Sequence, residues 1–399
     1  MPIGTAVHER TFALCESLNY REWSGYYAVS AYEGHHEHEY NAIRNASALI
    51  DVSPLFKYMI SGRDASRFVD RLITRDVSKM AVGQVYYTPW CDEHGKVIDD
   101  GTVTRLEDQK FRWTAADPSF RWFSQNARGI DVHIEDVSEE IAALALQGPT
   151  SGRLLRAVAK AGIDGLKYFR MTRGAIAGVP VDISRTGYTG DLGYEIWMPW
   201  DRATAVWDAL MSGGRSYDIH PAGMLALDVA RVEAGLLLIE VDFNSSKKAL
   251  IESQKYSPYE MGLGRLVQLD TRPFVGRTPL AEEHRRGPAR QIVGLDISWP
   301  AIEALYEDIG LAPQVSAAAS RVAVPVYKVG RQVGRATTTT WSPVLKKMIA
   351  LATIAAPHTA PGTELECEIT VEAVRHRVPA TVVKTPFFNP PRKTGAWSG

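Results

Sequence analysis

The stretch from Thr186 to Trp197 constrains the fold of this chain more than any other. It places three glycines in a polar turn and then enters a short strand, Tyr194 to Met198, which carries one acidic residue, Glu195. Glycine allows positive φ angles and lets a flat ligand lie against the main chain. A carboxylate at a strand start can accept two parallel hydrogen bonds from an amino-substituted heterocycle such as a pterin. The alternative interpretation is a hairpin turn beside a solvated Glu.

The composition is that of an ordinary globular protein, and it argues against several functional classes. The 399 residues are 45% hydrophobic and 23% charged, and this length predicts two or three domains. The formal net charge of −1, with no basic cluster among aromatic residues, argues against nucleic-acid and membrane-surface partners. Met1 to Leu14 has no apolar signal core, and no run is long enough to span a bilayer.

Neither the cysteines nor the histidines form a metal-binding motif. Cys15, Cys91 and Cys367 are odd in number and far apart, which suits a reducing compartment. Three histidines lie between residues 35 and 38, but no Cys partner or i, i+4 pair accompanies them. The neighbouring Glu and Tyr residues favour a solvated segment there. We therefore predict a cytoplasmic protein without a metal site.

Short strands and helices alternate through the first two thirds of the chain. The predicted elements are a strand over Phe56 to Ser61, a helix over Gly62 to Ile73, a hairpin of Val85 to Trp90 with Lys96 to Arg105, and helices over Thr150 to Ala161, Ala203 to Ser212 and Pro221 to Leu238. Pro221 is placed just inside the start of the last helix. The alternation predicts an α+β core with split βαβ units.

The last third of the chain has a different pattern. Glu282 to Pro288 interrupts the apolar pattern and predicts a domain boundary. Six short β-rich segments follow, Ile292 to Ile297, Val322 to Val329, Gln332 to Thr340, Met348 to Ile354, Glu364 to Val371 and Arg375 to Val383. This pattern predicts a small antiparallel β-barrel. The tail, Pro390 to Gly399, is predicted to be disordered.

Five motifs, in one order, resemble those of the glycine cleavage T-protein family, the folate-dependent aminomethyltransferases and their demethylase relatives. The stretch from Thr186 resembles the family's T-x-Y-T-G-E-x-G-x-E-I. The other four motifs are Gly95 to Asp100 (G-G-x-x-D-D in the family), Leu144 to Pro149 (L-A-L-Q-G-P), Arg231 to Gly235 (R-x-E-A-G) and Ser342 to Lys347 (S-P-x-L-K-K). The resemblance implies a three-domain cloverleaf around a central hole that holds tetrahydrofolate, with a barrel as its last domain. We expect two intertwined α+β subdomains in residues 1–285, the barrel in 289–389 and a tail in 390–399.

The resemblance implies a catalytic role for Asp100. Asp99 and Asp100 are neighbours in a predicted strand, so their side chains face opposite sides and cannot form a paired-carboxylate site. Asp100 matches the family's catalytic acid, which orients N5 of the folate and stabilises positive charge on the transferred carbon. The alternative is an Asp pair in solvent beside a turn.

The resemblance also implies a set of cofactor-binding residues. Glu195 matches the acid that binds the pterin, and Tyr188 and Tyr194 are expected to stack or pack beside it. Arg231 is a further candidate, although packing and an interdomain ion pair are an equal alternative for Arg231 and Glu233. These two residues are two positions apart and do not share a helix face.

Two departures from the family pattern, and one charge pair that follows it, bear on folate binding. The family has an Arg at the position of Leu227 and, in many members, an Asn at the position of Ala115, so some folate contacts must be lost or replaced. Lys346 and Lys347 either neutralise the glutamate tail of the folate or form an exposed charge pair.

A further departure bears on the substrate. The segment between Ile239 and Leu263 is longer than in T-proteins, and its Tyr-Ser-Pro-Tyr-Glu, which includes Tyr259, resembles the N-P-[FY]-E of folate-dependent demethylases. Its insertion either lines the pocket or forms a surface loop. The family has an aromatic entry segment that helps to wall the substrate pocket, and Trp23 and Tyr32 are the candidates here.

We therefore expect a tetrahydrofolate-dependent methyltransferase that demethylates a small methylated compound. One alternative is a glycine cleavage T-protein, which takes an aminomethyl group from a lipoyl carrier protein. The other is a non-catalytic folate-binding regulator, against which the presence of Asp100 argues.

Overall fold

A computed structural model describes residues 1–270 and 272–395, and its described residues form two large β-sheets packed with helices, a two-stranded sheet near the N-terminus and a closed β-barrel. The strands are β1 (Asn19–Trp23), β2 (Tyr26–Ala31), β3 (Ser47–Asp51), β4 (Phe56–Ser61), β5 (Val85–Cys91), β6 (Val97–Glu107), β7 (Lys110–Ala115), β8 (His133–Asp136), β9 (Ile141–Gln147), β10 (Ala159–Ala161), β11 (Met171–Ile176), β12 (Val179–Ser184), β13 (Gly193–Pro199), β14 (Ile219–Pro221), β15 (Arg290–Ile297), β16 (Val324–Lys328), β17 (Arg331–Ser342), β18 (Lys347–Ala355), β19 (Glu364–Val371) and β20 (Val374–Val383). The α-helices are α1 (His8–Leu14), α2 (Glu37–Asn45), α3 (Ala65–Leu72), α4 (Phe120–Asn126), α5 (Ser151–Val158), α6 (Ala203–Gly213), α7 (Met224–Glu233), α8 (Arg277–Arg286) and α9 (Trp299–Glu307).

The seven-stranded sheet has the order β10-β11-β12-β13-β9-β3-β14. Only β14 and β3 pair in parallel among these strands. Because side chains alternate across a strand, each face of this sheet has its own core. One face packs Leu144, Ile183 and Ile196 against α5 and α6, and the other packs Ala145 and Trp197 against α2 and α7. The second face, with α7 over it, is the inner face of the molecule.

The five-stranded sheet has the order β5-β6-β7-β4-β8 and is antiparallel throughout. One of its faces carries an aromatic core that includes Trp90, Trp113 and Phe123. Its other face is polar. The register aligns Tyr87, Thr102, Thr114 and Lys57 across four strands, so these four side chains share that polar face.

The barrel closes in the order β15-β18-β17-β16-β19-β20. Its strands overlap all six β-rich segments predicted from the sequence. Helix α9, which no pattern had predicted, begins at a Ser298 hydroxyl that accepts a hydrogen bond from the Ala301 N–H, with Pro300 in the first turn. The fold class predicted from the sequence, α+β with a C-terminal antiparallel barrel, is confirmed.

Two local predictions are wrong. Pro221 belongs to strand β14, and helix α7 begins three residues later at Met224, since Pro221 extends the pairing with Leu49 of β3. The prediction of a solvated segment at His35 to His38 is right for His35 and His38, which are exposed, but wrong for His36, which is 6% exposed. The segment leads into α2, where Glu39 and Tyr40 are buried, and the His36 Nε2 lies 3.0 Å from the Ala317 carbonyl oxygen.

The described part of the C-terminal tail is also ordered, and it packs against the loop between β12 and β13 of the seven-stranded sheet. Arg185 is 1% exposed and donates to the carbonyl oxygens of Arg392, Lys393 and Gly395. Arg392 in turn donates to both carboxylate oxygens of Asp191, at 2.6 and 2.8 Å. The prediction of disorder is therefore wrong for residues 390–395, because a buried guanidinium uses this backbone as its acceptor. Residues 396–399 of the predicted tail lie outside the described residues.

A buried ion-pair network joins α7 to the barrel. Arg231 donates to Asp242 and, at 3.0 Å, to the Thr338 hydroxyl of β17, while Thr337 and Thr338 donate to Asp242 at 2.6 and 2.7 Å. Arg231 and Asp242 are both 0% exposed. Because both charges are buried and hydrogen-bonded, the pair has one geometry. Removal of either residue would leave the other buried charge without this partner.

We therefore expect Asp242→Ala to lower the free energy of unfolding by about 3–5 kcal/mol, because the buried Arg231 charge would lose its main partner and keep only the longer ion pair, 3.5 Å from its Nε to Asp228. Chemical denaturation of the full chain measures this change. Glu303→Ala, on the exposed face of α9, is the control and should change the free energy by less than about 0.5 kcal/mol. Equal stabilities of the two variants would show that the network contributes nothing.

Candidate active site

Asp99 and Asp100 take opposite roles because they lie on opposite faces of β6. The Asp99 carboxylate is fully buried and accepts backbone N–H groups of Asp100, Ala116 and Asp117 at 2.8, 3.0 and 3.0 Å. It therefore fixes the turn that follows β7. Asp100 points to the polar face and is partly exposed. Only Asp100 is available to a ligand.

The surroundings of Asp100 raise its pKa and hold its carboxylate by one hydrogen bond. Its Oδ2 accepts a 2.5 Å hydrogen bond from the Tyr87 hydroxyl. Burial raises the pKa of Asp100 to about 6, and the hydrogen bond from Tyr87 opposes that rise. No Lys, Arg or His forms an ion pair with Asp100 in residues 1–270 and 272–395. At neutral pH the group is a carboxylate with a pKa close enough to exchange a proton.

This arrangement predicts a pH dependence of turnover. The ionised form of Asp100 is the one that stabilises positive charge, so turnover should fall as the pH drops through about 6. In Tyr87→Phe the donor that favours the carboxylate is lost, so the pKa of Asp100 should rise and the acid limb of the profile should move to higher pH. Initial rates measured between about pH 5 and 9 test this shift. An acid limb at the same pH in both proteins would remove Tyr87 from the account.

Glu195 lies on the inner face of the seven-stranded sheet. Its Oε2 accepts a 2.5 Å hydrogen bond from the Thr186 hydroxyl, and Oε1 has no hydrogen bond within the described part of the chain. The side chain is partly exposed, and burial raises its pKa while Thr186 and the nearby Arg112 oppose the rise. Glu195 thus offers one free carboxylate oxygen and one that is held in place.

The glycines of the stretch pack the loop rather than leave room for a ligand. A Cβ at Gly187 or Gly193 would lie 2.0 or 2.3 Å from the Gln147 Oε1 atom. Gln147 donates to the Thr186 and Tyr194 carbonyl oxygens at 3.2 and 3.3 Å. Gln147, from the motif of Leu144 to Pro149, therefore fills the inside of the loop that begins at Thr186. This contact holds the loop beside Glu195.

Arg112 places the two sheets face to face. It lies on β7, two residues before Thr114, and therefore on the polar face that carries Asp100. Its Nη1 donates to Asp182 of the other sheet at 2.8 Å, and its guanidinium carbon lies 4.4 Å from the Trp197 ring centroid. Asp182 and Trp197 are directly paired, and the pair of Ser184 and Glu195 lies two positions along the same ladder and so on the same face. The face that carries Asp100 is therefore turned toward the face that carries Glu195.

Aromatic and aliphatic side chains form the apolar boundary of the space between these faces. Tyr188 and Trp23 are partly buried and pack against the inner core cluster, which contains Leu227 and Trp197. The Tyr188 hydroxyl donates to the Leu237 carbonyl oxygen, which fixes the ring. Burial raises the pKa of Tyr188, and the charge of Asp100 is among the smaller causes of that rise.

Four of the residues predicted from the sequence are buried outside this space. Tyr194 is 0% exposed in the core on the other face of β13, and Arg231 is fully committed to the network with Asp242. Tyr32 is 3% exposed beside Tyr20 in a small cluster under the N-terminal hairpin. Tyr259 is 9% exposed and packs between the barrel and the five-stranded sheet. The proposed ligand-binding site therefore includes none of these four residues.

The inserted segment lies close to the Asp99 turn. The Ser246 N–H donates to the Val97 carbonyl oxygen at 2.8 Å, and Lys248 forms ion pairs with Asp117 and Glu240 at 2.8 and 2.7 Å. Leu250 at its tip is 89% exposed. Of the two lysines at the end of the fifth motif, Lys346 and Lys347, Lys347 forms an ion pair with Asp296 of the barrel.

The sequence reasoning missed three residues of the site. Thr186 was inside the motif, but nothing marked its hydroxyl as the partner of Glu195. Tyr87 could have been found from the hairpin register, which sets it diagonally across from Asp100. Arg112 had no signal, because its role depends on the packing of one sheet on the other.

The described residues also bear on metal binding and on membrane association. Residues 1–270 and 272–395 contain no group of three or more His, Cys, Asp or Glu side chains placed to hold a metal ion. Over the same residues, none of the helices has the length and apolar character that a membrane crossing requires. The cytoplasmic localisation stays a prediction.

Comparison with known proteins agrees with the motifs and the fold. The chain matches the GCVT N-terminal domain over residues 5–271 and the glycine cleavage T-protein C-terminal barrel domain over residues 309–389. An aminomethyltransferase of Desulforamulus reducens is 33% identical over 92% of this chain and 93% of its own length. The trimethylamine-oxide aldolase of Ruegeria pomeroyi is 35% identical over 97% of this chain but 47% of its own length, so the chain spans about half of that relative.

A solved structure has the same fold. The glycine cleavage system aminomethyltransferase T of Bartonella henselae superposes with a TM-score of 0.81 at 22% identity, covering 98% of this chain and 99% of that chain. The family matches together cover most of the chain, and the aminomethyltransferase relatives match it along nearly their whole length. The chain is an enzyme of the glycine cleavage T-protein family of one-carbon transferases.

Proposed function

We propose that this protein is a tetrahydrofolate-dependent methyltransferase that moves a one-carbon group from a small methylated substrate to N5 of tetrahydrofolate. The observation that carries the proposal is the pair of partly exposed carboxylates, Asp100 and Glu195, on facing sheets. Each accepts a hydrogen bond from a neutral hydroxyl, Tyr87 or Thr186, and neither has an ion-pair partner in the described residues. Such groups are typical of ligand-binding positions rather than of structural ion pairs.

The residues present fit a reduced pterin. Its 2-amino group and the adjacent ring N–H form a parallel donor pair, and the free oxygen of Glu195 is available to accept from it. The apolar cluster to which Leu227 belongs, with Tyr188 packed against it, suits a flat ring. Leu227 and Ala115 offer no hydrogen bonds, so we propose that Glu195 is the main polar anchor.

Asp100 would act at the reacting centre. When bound, tetrahydrofolate supplies a nucleophilic nitrogen that accepts the one-carbon unit. The Asp100 carboxylate is partly buried on the polar face of the five-stranded sheet. Because little water screens it there, its negative charge would interact strongly with a positive centre on the donor. Its pKa of about 6 also lets it take up a proton during the transfer. Tyr87 holds the carboxylate in one orientation, which reduces the reorganisation needed at the moment of reaction.

Two features favour a small methylated donor. The inserted segment is tied by Lys248 to Asp117, beside the turn that Asp99 fixes, and so lies close to the strand of Asp100. The relative from Ruegeria pomeroyi carries in its name a small N-methylated compound, trimethylamine oxide. Because this chain spans about half of that relative, its name suggests a donor class and no more.

An aminomethyl donor on a lipoyl carrier protein is the second candidate. The observation in its favour is that aminomethyltransferases match this chain over about nine tenths of both lengths. The first candidate requires only a small-molecule entrance, whereas the second also requires a docking surface for the carrier.

Analysis of the folate product separates the two candidates. The protein is incubated with tetrahydrofolate and either small methylated amines, sulfonium compounds and aryl methyl ethers or an aminomethyl-lipoyl carrier, and the folate product is identified by mass. We expect 5-methyltetrahydrofolate with at least one small donor. Methylenetetrahydrofolate formed only with the lipoyl carrier would overturn the first candidate, and absence of folate binding would overturn both.

A further inference from the structure

Arg112 is a buried charge that packing alone does not account for. Its side chain is 4% exposed, yet its Nη2 atom is buried without a hydrogen-bond partner among the described residues. Its one ion-pair partner, Asp182, is shared with Arg173, whose Nε lies 3.5 Å from the other carboxylate oxygen. Arg173 has a second carboxylate partner, Glu107, at 3.8 Å, whereas Arg112 has no ion-pair partner besides Asp182 among the described residues. A second negative charge nearby would balance this group.

Glu195 supplies that second negative charge. Glu195 lies two residues before Trp197 on the same face of β13, and the Arg112 guanidinium lies over the Trp197 ring. Each of the two groups is among the charges that affect the other. They make no direct ion pair, so the carboxylate stays free to accept hydrogen bonds from a ligand.

We propose that Arg112 is a positioning residue that keeps Glu195 ionised at neutral pH without contacting the folate. The inference rests on the proposed function, because it assigns to Arg112 the electrostatic support of the pterin anchor. A carboxylate on an apolar surface loses ionisation unless a positive charge opposes the desolvation. Thr186, a neutral donor, holds the orientation of Glu195, and Arg112 supplies the charge.

Other titratable groups near this pair come from four elements. Lys57 of β4, Asp182 of β12 and Arg173 of β11 face Arg112, and Tyr168 in the loop before β11 faces Glu195. Burial raises the pKa of Tyr168 to about 12, so its phenol is neutral between pH 6 and 9. Burial lowers the pKa of Lys57 to about 7, so this group titrates within the range of the experiment. The charge of Arg112 is among the causes that lower the pKa of Lys57, so the contribution of Lys57 cancels between variants that share Arg112→Met.

The test measures the Kd for tetrahydrofolate by calorimetry between about pH 6 and 8.5 under anaerobic conditions. In Arg112→Met the pKa of Glu195 should rise, so the carboxylate should become protonated as the pH falls. We expect a Kd within about 3-fold of wild type at the upper pH and at least about 10-fold weaker at the lower pH. Arg112→Lys retains the charge and should keep the wild-type profile.

Two further variants distinguish this role from that of a structural tie between the sheets. Asp182→Asn breaks the ion pair but leaves the Arg112 charge, so its folate profile should stay flat even if its melting temperature falls. In an Arg112→Met, Glu195→Gln double variant no titrating group remains at residue 195, so the pH dependence produced by Arg112→Met should disappear. An Arg112→Met profile parallel to wild type would overturn the inference alone, whereas failure of the wild-type protein to bind tetrahydrofolate would overturn the proposed function as well.

Discussion

Asp100→Asn should lower turnover by about 10²- to 10⁴-fold while it changes the Kd for tetrahydrofolate by less than about 3-fold. The amide keeps the size of the side chain and can still accept from the Tyr87 hydroxyl, but it carries no negative charge and cannot take up a proton. The loss should therefore appear in kcat. Single-turnover rates of folate methylation and calorimetric titration of the folate measure the two quantities separately.

The control for this variant is Asp108→Asn at the exposed β6–β7 turn of the same sheet. It removes one negative charge from the same sheet without touching the inner face. Its turnover should equal that of wild type. Unchanged turnover in Asp100→Asn would remove the assigned role of Asp100, and equal losses in the two variants would indicate a general effect of charge.

Glu195→Gln should weaken tetrahydrofolate binding by about 1.5–3 kcal/mol, a Kd about 10- to 100-fold higher, because hydrogen bonds to a charged acceptor are worth that much. The amide retains one acceptor oxygen, but its NH₂ group would face a donor of the pterin. Turnover at saturating folate should fall much less than affinity. Calorimetry at about pH 7.5, where the carboxylate is needed, gives the Kd.

Glu140→Gln is the matched control, since Glu140 is exposed just before β9 of the same sheet. Its Kd should be that of wild type. An unchanged Kd in Glu195→Gln would show that the pterin binds elsewhere, and the inference about Arg112 would then lose its basis.

The sequence predicted the strands and barrel well because their signals are local. Alternation within Phe56–Ser61 and Glu364–Val371 needs only the neighbours of each residue, and both strands have the predicted bounds. The start of α7 was misplaced because the pairing of Pro221 with Leu49 involves a distant strand. The ordered tail depends on Arg185, a residue two hundred positions away, which no local pattern reveals.

The candidate site was predictable only where a motif named it. Asp100 and Glu195 came from the family resemblance, and strand alternation correctly separated Asp100 from Asp99. Burial was harder to predict. Tyr194 adjoins Glu195 in the sequence but points into the opposite core, and Arg231 serves the contact between α7 and the barrel. Arg112 became visible only when the two sheets were seen to face each other.

A crystal structure of the full chain with 5-methyltetrahydrofolate tests the central claim most directly. The account predicts the pterin between the two sheets, with its amino group hydrogen-bonded to Glu195 and N5 facing the Asp100 carboxylate. Arg112 should remain over Trp197 without touching the ligand. A pterin bound outside this space, or bound here with N5 turned away from Asp100, would contradict it.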